Sequence, residues 1–221
     1  ARALADDLEH RVSEGDLAGH AVGNLVLAGL VDAGNDLVAA ADRLSRWLGI
    51  EPDDVRILPA THEPVSMVGT TTAGEVRGQV ALEEAAGITR VSVDPPDPKV
   101  PDEVVQAIAS ADQVVLGPGS LHTSVLAAAV VPGVRDAIAA TPARRILVGN
   151  LRPEREAAGG LAEHVAVLRD HGIGVDTLVV QEGAVDPAAL PDVEVVAADV
   201  DRPHGLAHDA DLLGPVLARL A

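Results

Sequence analysis

The stretch from Ala111 to Ser124, Ala-Asp-Gln-Val-Val-Leu-Gly-Pro-Gly-Ser-Leu-His-Thr-Ser, constrains the fold more than any other part of the chain. It reads as a buried strand that ends in a glycine turn and opens a helix. Val114, Val115 and Leu116 form a short apolar run of the kind that parallel strands bury on both faces. Gly117 and Gly119 let the backbone bend tightly and approach a ligand. Ser120 suits an N-cap, and the first amides of the helix it opens lie at the positive end of the helix dipole, where a phosphate or carboxylate satisfies them. The same residues also suit an ordinary strand-to-helix turn.

The segments around this turn alternate. The spacing predicts a strand at 113–117, helices at 120–129 and 133–140, a strand at 145–150, a helix at 160–171, strands at 175–181 and 193–198, and a helix at 209–220. Such alternation favours an α/β fold with a parallel sheet and helices on both faces. Ligands in such sheets bind beyond the carboxyl ends of the strands, where the loops Gly117–Ser120 and Asn150–Arg155 both emerge. Upstream, helix-compatible residues run from 1 to about 13, a buried helix is expected over Val22–Val31, and a second over Asp36–Leu48 with Gly49 as its stop. Val55–Ala60 and Val65–Thr71 are candidate strands, arranged as a hairpin or at a sheet edge, followed by a strand at Ile88–Val93. Asp94 to Pro101 is a stiff loop built from four prolines, and Pro101 starts a helix over Asp102–Ser110. With 221 residues, the chain is expected to form a single domain, 1–221.

Composition narrows the partners. A formal net charge of −18 repels the nucleic-acid backbone and anionic membrane surfaces, so neither nucleic acid nor membrane insertion is expected. An anionic small molecule remains compatible, because a nest of amides with one or two Arg attracts it locally. The chain has a single Trp and no Phe or Tyr, so a nucleotide base would be recognised by backbone groups, aliphatic faces or His. The absence of cysteine excludes disulfides, thiolate catalysis and Cys-ligated zinc, which fits a reducing compartment. No apolar run reaches the roughly 18 residues of a membrane span, and the acidic start is not a signal peptide. A cytoplasmic location is expected.

Three ordered blocks carry a resemblance: Leu17-Ala-Gly-His-Ala-Val-Gly-Asn-Leu-Val-Leu-Ala-Gly-Leu30, Ile57-Leu-Pro-Ala-Thr-His-Glu-Pro-Val65 and Val115-Leu-Gly-Pro-Gly-Ser-Leu-His-Thr-Ser-Val125. Further pieces agree in order, namely Gly78-Gln before a helix, Arg90-Val-Ser-Val-Asp-Pro, Val131-Pro-Gly-Val, Gly149-Asn-Leu and a helix containing His164. Together they resemble the YvcK family, the gluconeogenesis factors, over most of the chain. The resemblance implies a Rossmann-like three-layer α/β fold with a mainly parallel sheet. It also implies a regulator of carbon metabolism and cell-wall or cell-shape control that binds a UDP-sugar of the UDP-N-acetylglucosamine type. The related CofD-type 2-phospho-lactate transferases of deazaflavin coenzyme synthesis usually carry Gly-Pro-Gly-Asn-Pro where this chain has Gly117-Pro118-Gly119-Ser120-Leu121, which favours the regulator. The family's first strand, its Gly-Gly-Gly-Thr-Gly phosphate loop and an Asp-Asp-Gly-Gly segment normally precede the block at Leu17 and are not in this sequence. The chain is therefore expected to be an N-terminally truncated form. His122 stands where the family usually has Tyr.

The ligand-binding residues expected on this basis are His20, Asn24, Gly117, Gly119, Ser120, His122, Thr123, Asn150, Arg152 and Arg155. Asn24 offers an amide to a ligand, or caps the helix it begins. His20, His62 and His122 are each a hydrogen-bonded structural histidine or a ligand group, and His122 beside the turn is the strongest of the three. Thr123 and Ser124 have hydroxyls for a diphosphate, or bond only to backbone. Arg152 and Arg155 are the candidates for its counter-charge. His204 and His208 have metal-compatible spacing, but Gly205 lies between them and no third anchor is evident. Asp209 then reads as a helix cap, and no metal, cofactor or catalytic residue is assigned. Mg²⁺ enters only under the transferase alternative. Self-association as a homodimer is compatible with the chain.

Overall fold

The computed structural model describes residues 2–34, 36–51, 53–152, 160–202 and 207–221. They fall into two compact units, Ala1–Pro59 and Ala60–Ala221.

The first unit holds three helices, α1 (Arg2–Glu9), α2 (Val22–Asp32) and α3 (Leu37–Trp47). Asp36 caps α3 by accepting the Ala39 N–H at 2.7 Å, and Gly49, at φ 75°, ends it in the left-handed conformation that glycine adopts without strain. Both signals had been legible in the sequence. Helix α2 differs from expectation, because none of its residues is fully buried and Ala21 precedes it without a side-chain cap. Asn24 lies inside the first turn and is exposed, so it does not cap the helix. Trp47 is exposed and carries the Arg43 guanidinium 5.5 Å from its ring centroid. Residues 55–60 form no strand, and Val55 and Ile57 are exposed.

In the second unit a small antiparallel sheet has the order β2-β1-β3, with β1 Ser66–Thr71, β2 Gly74–Arg77 and β3 Ile88–Asp94. The hairpin is therefore β1–β2 and not the 55–60/65–71 pair. Its turn is fastened by the Thr71 hydroxyl, which donates to the Gly74 carbonyl at 2.8 Å and accepts the Ala73 N–H at 3.1 Å. Helix α4 (Gln79–Glu84) follows and presses Leu82 against Gly69, where a β-carbon would lie 3.2 Å from the Leu82 Cγ. After α5 (Asp102–Ala109) comes a wholly parallel sheet in the order β4-β5-β6-β7, formed by Gln113–Leu116, Arg144–Val148, Thr177–Gln181 and Glu194–Ala198. Between the strands run α6 (Leu126–Ala129), α7 (Pro132–Ala140) and α8 (Gly160–Asp170), and α9 (Ala210–Ala218) follows β7.

The two-residue alternation of these strands separates two cores. Leu116, Leu147, Leu178 and Val180 pack with Val134 and Ile138 of α7 and Val165 and Leu168 of α8. Ile146 and Val179 pack on the other side with Val216 of α9. Helices on both faces of a parallel sheet are what the alternating sequence predicts. At the rim, Arg145 grips Asp176 through two side-chain bonds of 2.9 and 2.7 Å, which holds the Asp176 carboxyl below its usual range. Among the described residues, no single helix is long and apolar enough to cross a membrane.

One buried side chain ties α8 to the small sheet. The Val91 N–H donates to His171 Nε2 at 2.9 Å, while His171 Nδ1 lies 2.7 Å from the Val167 carbonyl. An acceptor at Nε2 and a carbonyl at Nδ1 together require the neutral tautomer protonated on Nδ1. Replacing His171 with alanine leaves the buried Val91 N–H without its acceptor. The expected loss is about 2–3 kcal/mol, read as a lower urea midpoint by far-ultraviolet circular dichroism. An unchanged midpoint would show that the bridge does not contribute.

Candidate functional site

The parallel sheet sends its carboxyl ends to one edge, and three connections meet there around a cavity of about 470 Å³. Pro118 and Gly119 come from the loop after β4, Asn150, Leu151 and Arg152 from the loop after β5, and Ala207 and His208 from the connection between β7 and α9.

The glycine turn is built by close approach. Gly117 has φ 75°, and a β-carbon on it would stand 3.2 Å from the Val148 carbonyl oxygen. A β-carbon on Gly119 would stand 3.2 Å from that of Ser124. Asn150 then fixes the turn from the neighbouring strand end. Its Oδ1 accepts the Gly119 N–H at 3.0 Å, and its Nδ2 donates to the Gly119 carbonyl at 2.9 Å. Ser120 is the N-cap, and its hydroxyl oxygen accepts from the Thr123 N–H at 3.3 Å and from the Thr123 hydroxyl at 2.8 Å. Its carbonyl accepts from Ser124 at 3.0 Å and from Val125 at 2.9 Å, and the second of these bonds makes Leu121–Val125 a π-helical turn in place of the expected regular helix. Gln79 of α4 donates to the Thr123 carbonyl at 3.2 Å, which steadies the widened turn.

The structure distributes the expected ligand residues unevenly. Gly119, Asn150 and Arg152 line the cavity, while Gly117 and Ser120 bracket the turn behind it. Thr123 is buried and spends its hydroxyl on Ser120. His122 is 2% exposed, turned into the interior and away from solvent. Burial pushes its pKa down to about 4 against a small opposing pull from Glu163. It is neutral near pH 7. His20 and Asn24 are exposed and belong to the first unit, which is described by itself. His62 is also exposed. Arg155 and His204 lie outside the described residues. Asp209 caps α9 as expected, accepting the Asp211 N–H at 2.9 Å. Among the described residues, no group of three or more His, Cys, Asp or Glu is arranged for a metal.

Sequence reasoning did not anticipate Pro118, Leu151 or His208 as walls of the cavity. His208 Nε2 lies 3.1 Å from the Gly149 carbonyl, which docks the β7–α9 connection onto the end of β5. It is held here by a backbone bridge with Asp201, seven residues back, a pairing that its metal-compatible spacing from His204 does not announce.

Two expectations follow. Asn150→Ala removes both bonds to Gly119, and should cost about 1–2 kcal/mol of stability in the absence of any ligand, measured by urea unfolding. A purely ligand-contacting Asn150 would leave that stability unchanged. For His122, the unfolded side chain with its ordinary pKa of 6.5 binds a proton more readily than the folded one. Its contribution is therefore complete above about pH 6.5 and is lost as pH falls toward 4, up to about 3 kcal/mol below that. His122→Gln should flatten this part of the stability curve, and a parallel acid loss in the variant would contradict the assignment.

The comparisons with known proteins agree with this architecture. The model of a family described as 2-phospho-L-lactate transferase CofD matches residues 2–211. A Mycobacterium tuberculosis protein is 38% identical over 240 aligned residues, which span 98% of this chain and 69% of the relative. A relative from Bacillus subtilis named gluconeogenesis factor is 32% identical over 185 residues, covering 80% of this chain and 57% of its own length. A crystal structure of a UPF0052-family protein from Bacillus halodurans superposes with a TM-score of 0.87 at 28% identity, covering 99% of this chain and 78% of that one. With its glycine turn, parallel sheet and nearly complete coverage, the chain belongs to the CofD/UPF0052 family and is a member of its gluconeogenesis-factor group.

Proposed function

We propose that the protein is a cytoplasmic, non-catalytic regulator of carbon metabolism and cell-wall or cell-shape control that responds to a bound UDP-sugar. The observation that carries this reading is the cavity where the Asn150-clamped glycine turn meets Arg152. Its volume of about 470 Å³ lies within the roughly 300–1,000 Å³ of small-molecule sites. The turn lies at the positive end of the Leu121–Ala129 helical run, which favours an anion. The Arg152 guanidinium supplies planar donors of the kind that recognise phosphate. Pro118 and Leu151 provide the apolar wall, and in a chain without Phe or Tyr a base has to rest on such surfaces. Because Asn150 already holds Gly119, little ordering remains to be done when the ligand enters.

A second reading is a CofD-like transfer of a phosphorylated lactyl group from a nucleotide donor to a deazaflavin precursor. The matching family's description favours it. The names of the Bacillus subtilis and Halalkalibacterium halodurans relatives, both gluconeogenesis factor, favour the regulator, as does Ser120-Leu121 in place of the transferases' usual Asn-Pro.

Isothermal titration with UDP-N-acetylglucosamine should give saturable heat. At a ligand concentration of one hundred times Kd, it should raise apparent stability by about 2.7 kcal/mol. Neither heat nor thermal stabilisation at millimolar ligand would sink the binding reading. Mg²⁺-dependent turnover of a lactyl-phosphate nucleotide donor would decide for the transferase.

A further inference from the structure

We propose that His208 is a ligand-contact residue that takes up a proton when a diphosphate-bearing ligand occupies the cavity beside Gly119. The inference rests on the site proposed above and names a residue and a coupling that the reading does not contain.

His208 lines the cavity together with Gly119, Asn150 and Arg152. The anchor of the ring determines what the ring can do. A carbonyl only accepts, so the 3.1 Å contact with Gly149 fixes a hydrogen on Nε2. That bond is compatible with the neutral ring and with the imidazolium alike, so a proton can join Nδ1 without loss of the contact that positions the side chain. His171 has the opposite arrangement, because its Nε2 must stay unprotonated to accept the Val91 N–H. The anchor of His208 at the cavity thus tolerates a change of charge, and that of His171 does not.

The cavity also has a use for that charge. Besides His208, Arg152 is the charged residue of its lining. A diphosphate brings about two negative charges into a protein whose formal net charge is −18. The charged groups nearest in the connection are Asp201, which pairs with His208 through backbone, Arg202, whose N–H donates to Ala207, and Asp209, which caps α9. All three line a separate cavity together with Asp199 and Asp211. They are present with and without ligand, so the added anion is what changes at His208. A nucleotide-sugar diphosphate has no group of its own that titrates near neutrality, so proton uptake reports the protein.

The test is titration of the intact protein with UDP-N-acetylglucosamine in two buffers of different ionisation enthalpy. The wild-type heat should differ between buffers with the sign of uptake, up to one proton, and affinity should rise by up to about tenfold per pH unit on going from pH 8 to 6. His208→Gln, which keeps an N–H for the Gly149 carbonyl, should bind with buffer-independent heat and a flat affinity profile. A nitrogen-15 shift of the wild-type His208 ring toward the imidazolium on saturation gives the same answer without a variant. Wild-type binding with buffer-independent heat, or uptake that persists in His208→Gln, overturns this proposal alone. The absence of any wild-type binding overturns the site reading and this proposal with it.

Discussion

The two hydrogen bonds between the Asn150 amide and the backbone of Gly119 extend the sheet past the point where its backbone can. Strands β4 and β5 are paired in parallel as far as Leu116 and Leu147. Beyond Leu116 the chain bends through Gly117 and Gly119 and no longer presents a strand to its neighbour. A side-chain amide carries the same donor and acceptor as a peptide group, and Asn150 substitutes for the missing ladder rung. The glycine turn, the N-cap at Ser120 and the π-helical turn all begin from that fixed point. The two glycines give the turn little rigidity of its own, and the clamp from the next strand supplies it.

The histidines show how one residue type serves different ends through its partners. His171 is locked neutral between a donor and a carbonyl, and gives the fold a cross-link between α8 and β3. His122 is buried and held neutral by desolvation. His208 lines the cavity and is held by the Gly149 carbonyl. Acid therefore works against His122 in the interior.

Much of the scaffold was legible because it depends on local signals. Asp36 and Gly49 bound α3, and the apolar runs of β4 to β7 with helices between them lead directly to the parallel sheet. The errors occur where tertiary context outweighs pattern. Val55 to Ala60 has the composition of a strand, but the β1 edge is taken by Gly74–Arg77, a short and polar segment whose turn combines the Thr71 hydroxyl with Gly74 at φ 132°. The glycine turn is legible from Gly117 and Gly119, yet the wider winding at Leu121–Val125 comes from paired bonds to one carbonyl, which no residue pattern announces. His122 stood next to that turn in sequence, and the winding points it inward. Asn150 lines the cavity and also clamps the Gly119 turn, and the second role is not legible because a polar residue at a strand's end looks the same whether it faces a ligand or a neighbouring loop.

Trp47 gives the shortage of aromatic rings a practical side. The chain has no Phe or Tyr, and its one indole sits exposed on α3 in the Ala1–Pro59 unit, under the Arg43 guanidinium. Intrinsic fluorescence therefore reports only that unit. The larger Ala60–Ala221 unit, with the parallel sheet and the cavity, carries no fluorophore and almost no near-ultraviolet absorbance. A fluorescence melt of this protein follows its three-helix segment, and amide signals are needed to observe the part that forms the proposed ligand site.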